Sequence, residues 1–451
     1  MSDRPASGAQ AAPAAGPTFQ SSVAFWSVIV IATLVRLAGC SSAGTGDLGA
    51  FMAGGAAFLD HGVRNYFVSS LPYPPFAPAT LAVAEWLSRH VSPELPRQCA
   101  YNFLFNVALA GGLFLAYRLL RRERGEGAAR LGVALIWAGP ALVLNSPFLG
   151  YIDALFGTWV LLTFVAALSG RFGLAGILCG LALMTKPTAA VLLPVLAVLA
   201  WSRPDRTALV RAGLVTVYTI LGCYLPYLLA GVDTLVKALQ LNLWLLRVDH
   251  LSGNALNAWW VIQWLIQLLD RAPGTGVGEA MLACQTQRLP RLSFQEHFGF
   301  PYWVLSLTVV GLVTVLIAAW MIRRLRQPGA SPLTIAFEAA AYQMLNYFTF
   351  GHAVHENHLA LFFIFWPLAV VCQEGPRERR SALCIWGAFS ALGIANLLAF
   401  YGLGQGRTSS AWLIELLRPA HGPDLTVLYS LILVASTLAV LVRGLRRATV
   451  P

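Results

Sequence analysis

Long apolar runs separated by short basic or polar connections dominate this chain from Val23 onward. A membrane span needs roughly 20 mainly apolar residues, and a charge left at its centre costs about 2.5–3.5 kcal/mol. Lipid offers the backbone no hydrogen-bond partners, so runs of this kind are read as helices. Transmembrane strands would alternate apolar and polar residues, and these runs do not. The pattern predicts spans over Val23–Cys40, Ala100–Leu120, Leu131–Asn145, Ile152–Ser169, Phe172–Thr185, Thr188–Trp201 and Leu209–Ala230. It continues with Pro301–Ile322, Leu333–Phe350, Leu359–Cys372, Leu383–Gly402 and Leu425–Val442. The expected fold class is thus an all-α polytopic integral membrane protein of about twelve transmembrane helices.

The basic clusters set the orientation. With the N-terminus inside, Arg118, Arg121, Arg122, Arg124 and Arg130 fall on the cytoplasmic side. So do Arg323, Arg324, Arg326, Arg377, Arg379, Arg380, Arg443, Arg446 and Arg447, as the positive-inside bias requires. One spurious span early in the chain would flip every later cluster. The parity predicts both termini inside (N-in/C-in) and long outer loops over about 41–99 and 231–300. Two short apolar stretches are demoted to interfacial helices. They are Phe76–Leu87, behind two prolines, and Ala258–Leu269, which carries Trp259, Trp260 and Trp264. Residues 1–22, rich in Ala, Pro, Gly and Ser, read as a disordered cytoplasmic tail, and 23–451 as a single transmembrane domain. The Leu37-Ala38-Gly39-Cys40 stretch resembles a lipoprotein cleavage box, but Arg36 interrupts the run before it, so the first span is expected to stay uncleaved.

Composition agrees and removes alternatives. Hydrophobic residues make up 57% and charged residues 11%, against about 25% charged in an ordinary soluble domain. The net charge of +11 sits at span ends, so no nucleic-acid partner is expected. The Ala/Leu/Gly/Arg-rich composition and the lack of an Asn-x-Ser/Thr sequon suit a bacterial inner (plasma) membrane. Seven cysteines are too few for a disulfide framework. Cys179, Cys223, Cys372 and Cys384 lie in or beside apolar runs. Cys40, Cys99 and Cys284 fall outside, where an oxidising compartment would pair two of them. Which two stays open.

The same topology gathers the unusual polar residues on the outer face. Asp47 lies in GTGDLGAF, followed by Asp60, His61, Arg64 and the turn Tyr73-Pro74-Pro75. Asp153 follows NSPFLGY, Lys186 precedes Pro187 between two apolar runs, and His352, His355, Glu356 and His358 close another span. Such convergence marks a single outer site. Each residue also has a structural reading: Asp47 as a helix cap, Asp153 as a helix-start residue, Lys186 snorkelling to the headgroups. Pro187 favours instead a broken helix opening onto a cavity. The histidine cluster invites a metal, but zinc proteases space two histidines four apart, whereas His355 and His358 are three apart. No cofactor is expected, and imidazoles with a lysine suit a lipid phosphate better.

At these residues the chain resembles the GT-C superfamily of membrane glycosyltransferases. The first-loop aspartate in GDLGAF, the YPP element in LPYPPFAP and the His-Glu element in GHAVHENHLALFFIF carry the likeness. The last two resemble glucosyltransferases that elongate dolichol-linked oligosaccharide. GYIDALFGTWVLLTF, GILCGLALMTKPTAAVLLPV and SGNALNAWW look more like bacterial polyprenyl-phosphate-sugar-dependent members. The resemblance runs from about Arg36 to Cys372. It implies inverting transfer of a hexose, mannose or glucose, from a polyprenyl-phosphate carrier to an acceptor hydroxyl on a glycan, lipid or protein. Asp47 would be the catalytic base. His355, His352, Lys186, Arg36, Tyr73, Glu356 and Asp153 would bind the donor phosphate or sugar. The single Asp47 departs from members with paired acidic residues in that loop, which weighs against a metal-assisted reaction. A lipid flippase or solute transporter is the alternative, and a scaffold protein a third reading. The transporter fits less well, because transporters keep their ionisable residues near the bilayer midplane, and the scaffold reading predicts that no outer-loop polar residue matters to activity.

Overall fold

A computed structural model describes residues 22–65, 73–205, 207–246, 251–253, 255–283, 299–399 and 424–446. The expected tail and Cys284 lie outside the described residues. Every predicted apolar run is helical where it is described. The helices, in chain order, are α1 (Ser22–Gly39), α2 (Gly46–Asn65), α3 (Phe76–His90), α4 (Arg97–Arg124), α5 (Glu126–Trp137) and α6 (Pro140–Val143). Next come α7 (Asp153–Leu168), α8 (Phe172–Thr185), α9 (Leu193–Trp201), α10 (Thr207–Leu229), α11 (Val232–Leu246), α12 (Ala258–Thr275) and α13 (Val277–Ala283). The last are α14 (Tyr302–Leu325), α15 (Pro332–Phe350), α16 (Ala360–Val371), α17 (Pro376–Leu398) and α18 (Leu425–Arg446).

Six of these helices are long and apolar enough to cross a membrane: α1, α4, α10, α14, α17 and α18. A seventh is formed if α5 is joined to Pro140–Phe148 across a 44° bend. The chain is a helical, multi-pass membrane protein. The expected single run Leu131–Asn145 is this bent pair, because Pro140 has no N–H to continue the helix before it. The shorter apolar helices, α7, α8, Pro187–Trp201 and Glu356–Val371, are the ones that neighbours shield. Every residue of α16 is buried, whereas α10 buries only Ala208 and Tyr227. Large side chains such as Ile31, Leu214 and Val315 on α1, α10 and α14 stay exposed, the surface lipid would cover.

Sequence periodicity missed the length of α2, and α11 and α13 altogether. α2 is a mixed-polarity helix kinked at Gly62; polar positions interrupt α11, and α13 has only seven residues. α3 and α12 form as helices where interfacial ones were expected, each longer than its apolar core. The segment between α1 and α4 is clamped by Glu85 of α3, which accepts from Arg89, Arg97 and Tyr101.

Candidate functional site

The Asp47 turn is built against the α6–α7 connection. Asn102 of α4 donates to the Cys40 carbonyl at 3.1 Å and to the Pro147 carbonyl at 3.2 Å, joining the two segments. Thr45 N–H donates to the Leu149 carbonyl at 3.0 Å. Gly150, at φ 74°, lies so close to Leu48 that a Cβ would sit 2.6 Å from its side chain. Only glycine meets both demands. Asp47 follows in the first turn of α2, beyond the cap position, so it is not the helix cap that sequence allowed. Asp47 is an exposed residue, yet protein crowds its carboxyl. That desolvation raises its pKa above the ordinary carboxylate value, with Lys186 opposing and Asp153 adding to the effect. Among the described residues no hydrogen bond is made to it.

Asp153 opens α7, but its side chain is not spent on a helix end. Lys186 Nζ donates to Asp153 Oδ1 at 2.8 Å, and the two residues are only 5% and 2% exposed. Asp153 Oδ2 has no hydrogen-bond partner among the described residues. Lys186 adopts an extended conformation where α8 stops, and Pro187–Leu192 continues as a 3-10 turn into α9. The break before Pro187 therefore turns the lysine inward, onto the aspartate, and excludes snorkelling in this state.

The third part is the turn between α15 and α16. Tyr151, two residues before Asp153, donates its hydroxyl to Glu356 Oε1. Glu356 Oε2 is buried and lacks a partner among the described residues. Asn396 of α17 donates to the Glu356 carbonyl at 3.0 Å and accepts from Leu256 N–H at 2.9 Å. Gly253 N–H donates to the Val354 carbonyl at 2.9 Å. The His355 imidazole covers Gly253 so closely that a Cβ there would lie 2.9 Å from the ring. Asn257 donates to the Phe348 carbonyl at 3.0 Å. The segment around SGNALN is thus the platform for the histidine turn.

The His355 and His358 rings meet edge-on, with centroids 5.6 Å apart, whereas His352 packs elsewhere. His355 is exposed. His358 stacks on Tyr347, with ring centroids 5.8 Å apart, and its Nδ1 accepts from the His355 N–H at 3.4 Å. His352 receives none of that: its N–H donates to Ser306 Oγ at 2.8 Å and its ring meets Tyr302 edge-on. Among the described residues no three His, Cys, Asp or Glu side chains are grouped to hold a metal ion.

Asp47, Asp153, Lys186, Glu356 and His358 are joined by electrostatic interactions through Lys186 and Asp47. Other expected residues stand apart. Arg36 donates to the Trp137 carbonyl at 2.9 Å and to Asn106 Oδ1 at 2.7 Å, so its bonds tie α1 to α4 and α5. Tyr73 packs edge-on against Phe51, between α2 and α3. Asp60 pairs with Arg89, and His61 and Arg64 are exposed. Sequence reasoning missed Tyr151, Asn257 and Asn396 as site-building residues. The signal was present, since GYID and SGNALN stood out as motifs, but polar side chains that bond to neighbouring segments leave no pattern in sequence.

The cluster can do three things chemically. A solvent-facing carboxylate can accept a proton, an exposed imidazole can meet an anion, and buried carboxylate oxygens can receive donors from a polyol.

Comparison with known proteins gives partial matches. No family model matches the chain. It is 34% identical over 146 residues to undecaprenyl phosphate-alpha-4-amino-4-deoxy-L-arabinose arabinosyl transferase 2 of Pseudomonas fluorescens, covering 28% of this chain and 25% of that protein. It is 26% identical over 348 residues to the similarly named arabinosyl transferase of Pseudomonas aeruginosa, covering 70% of this chain and 61% of that one. The matches thus span less than two thirds of these curated relatives' own length.

Proposed function

We propose that this protein is an inverting glycosyltransferase of the GT-C type that moves a sugar from a polyprenyl-phosphate carrier to an acceptor hydroxyl. The observation that carries the reading is Asp47: a solvent-facing carboxylate with no hydrogen bond among the described residues, held beside the buried Lys186–Asp153 pair. The relatives' printed names support the donor class. In the reaction, Asp47 takes the proton of the acceptor hydroxyl as its oxygen attacks the anomeric carbon. The bond from that carbon to the phosphate oxygen breaks, and the phosphate leaves with the electron pair. His355, exposed on its Gly253 platform, meets the departing phosphate, where a cationic donor stabilises the growing charge. Lys186 is committed to Asp153, so its charge acts through the field it sets on Asp47.

The sugar is the finer part of the proposal. The motif resemblance points to mannose or glucose, whereas the relatives are named for an amino-arabinose. The unpartnered oxygens of Asp153 and Glu356 suit either sugar hydroxyls or an amine. The active face is placed outside, at the periplasmic side of a bacterial inner membrane, with about twelve spans and both termini inside.

The test offers purified protein a panel of polyprenyl-phosphate hexoses and amino-pentoses beside nucleotide sugars. Transfer from a lipid-phosphate donor alone supports the reading. Transfer from nucleotide sugars alone overturns it. Lipid-phosphate binding without transfer to any acceptor moves the protein to the flippase reading.

A further inference from the structure

The end of α1 and the start of α4 bring two cysteines onto one small patch. Gln98 donates to the Ser41 carbonyl at 3.2 Å, and Asn102 donates to the Cys40 carbonyl at 3.1 Å. These side chains come from the first turns of α4, one helical turn apart, and Cys99 lies between them in the same turn. Residues three apart on a helix share a face, so Cys99 sits on the side of Asn102 that grips Cys40. Burial, and after it the nearby Cys99 thiol, push the Cys40 thiol up to about 11. Both are free thiols in the structure; Cys40 is 7% exposed and Cys99 half-buried.

We propose that Cys40 and Cys99 form a disulfide that locks the Asp47 turn to α4. The proposal rests on the outward placement of this loop argued above, because an oxidising compartment is where such a bond persists. The more accessible Cys99 reacts first, its thiolate attacking one sulfur of a small or protein disulfide and releasing one thiol. The Cys40 thiolate then attacks Cys99 in the mixed disulfide and releases the second thiol. Two thiols are oxidised to one disulfide, and the donor disulfide is reduced to two thiols.

The bond has a structural consequence. Asn102 already ties the Cys40 carbonyl to the Pro147 carbonyl, and Thr45 ties the same turn to Leu149. A covalent link at Cys40 would make that junction permanent only a few residues before Asp47. It would also close a long loop containing α2 and α3, where crosslinks stabilise most in the chain-entropy account.

The experiment is peptide mapping by mass spectrometry of the full-length protein. The protein is purified without reductant, quenched with an alkylating agent, and compared with a sample incubated with oxidised glutathione. The expected result is a peptide pair joining Cys40 to Cys99 that disappears on reduction. Reductant should then lower the thermal midpoint of the wild type by roughly 5–10 °C but not that of Cys40→Ser/Cys99→Ser. Finding Cys40 and Cys99 both alkylated even after glutathione treatment overturns the proposal, as does a bond from either one to Cys284. Labelling of reduced Cys99 in intact cells by an impermeant thiol reagent tests sidedness separately. A bond that forms in the purified protein while Cys99 resists that reagent would contradict the outward placement, not the pairing.

Discussion

Two buried glutamates, each hydrogen bonded by a tyrosine, are used in opposite ways on this molecule. Glu85 takes Arg89 on Oε1 at 2.7 Å and Arg97 and Tyr101 on Oε2 at 2.6 and 2.8 Å. Arg89 extends the network to Asp60. Both oxygens are satisfied and the charge is neutralised. Glu356, in the histidine turn, takes Tyr151 on one oxygen, leaves the other without a partner among the described residues, and feels the charges of Asp47 and Lys186. Asp153 repeats the pattern, one oxygen on Lys186 and one unpaired. A buried acceptor without a donor costs about 1–3 kcal/mol. On the proposed reading these unpaired oxygens beside Asp47 receive a substrate, whereas the Glu85 network spends all of its capacity on the fold.

The contrast can be broken by substitution. The largest effect is expected at Asp47: Asp47→Asn should lower kcat by about 10²–10⁴-fold. Its donor affinity and thermal midpoint should stay close to wild type, because no hydrogen bond is lost. A steady-state transfer assay beside a melting curve checks this, and a midpoint that falls with the rate would return Asp47 to a structural role. His355→Ala comes next. It should weaken binding of the polyprenyl-phosphate sugar about tenfold, the scale of one charge-assisted contact. His352→Ala, whose ring serves Ser306 and Tyr302, should leave donor affinity within about twofold. Equal losses in a direct binding titration would contradict the divergence of the two rings. The smallest effect on chemistry is expected at Glu85. Glu85→Gln should leave kcat of the folded protein unchanged while lowering the thermal midpoint by several degrees, on the order of 2 kcal/mol after solvent screening of its half-exposed arginine partners. A lost rate with an unchanged midpoint would reverse the comparison.

The fold was legible to different depths. Apolar runs revealed the helices because burial in lipid imposes one requirement, a long stretch without charge, and this can be read residue by residue. They did not reveal the 44° bend after Trp137, since hydropathy does not register that Pro140 lacks the N–H a continuous helix needs. Nor did they reveal α11, whose polar face breaks the run. At the site, the convergence of Asp47, Asp153, Lys186 and Glu356 was expected from sequence, because the predicted topology puts each at a span end of the same parity. Arg36 has that same parity, yet its bonds go to Trp137 and Asn106. Parity fixes the depth of a residue in the membrane, not the direction of its side chain. Tyr151 and Asn396 could not be found that way either, as their importance is a matter of which segment lies opposite.

The account stands most directly on the proton that Asp47 is asked to take. Single-turnover transfer from a pre-bound lipid-phosphate donor, measured across pH, tests it. The pKa of Asp47 is raised, so the deprotonated base is lost, as pH falls, at a higher pH than for an ordinary carboxylate of about 3.9. The predicted result is one acid limb above that value in the wild type, and no such limb in the residual rate of Asp47→Asn. An identical limb in both proteins would show that another group carries the proton, and would contradict the assignment.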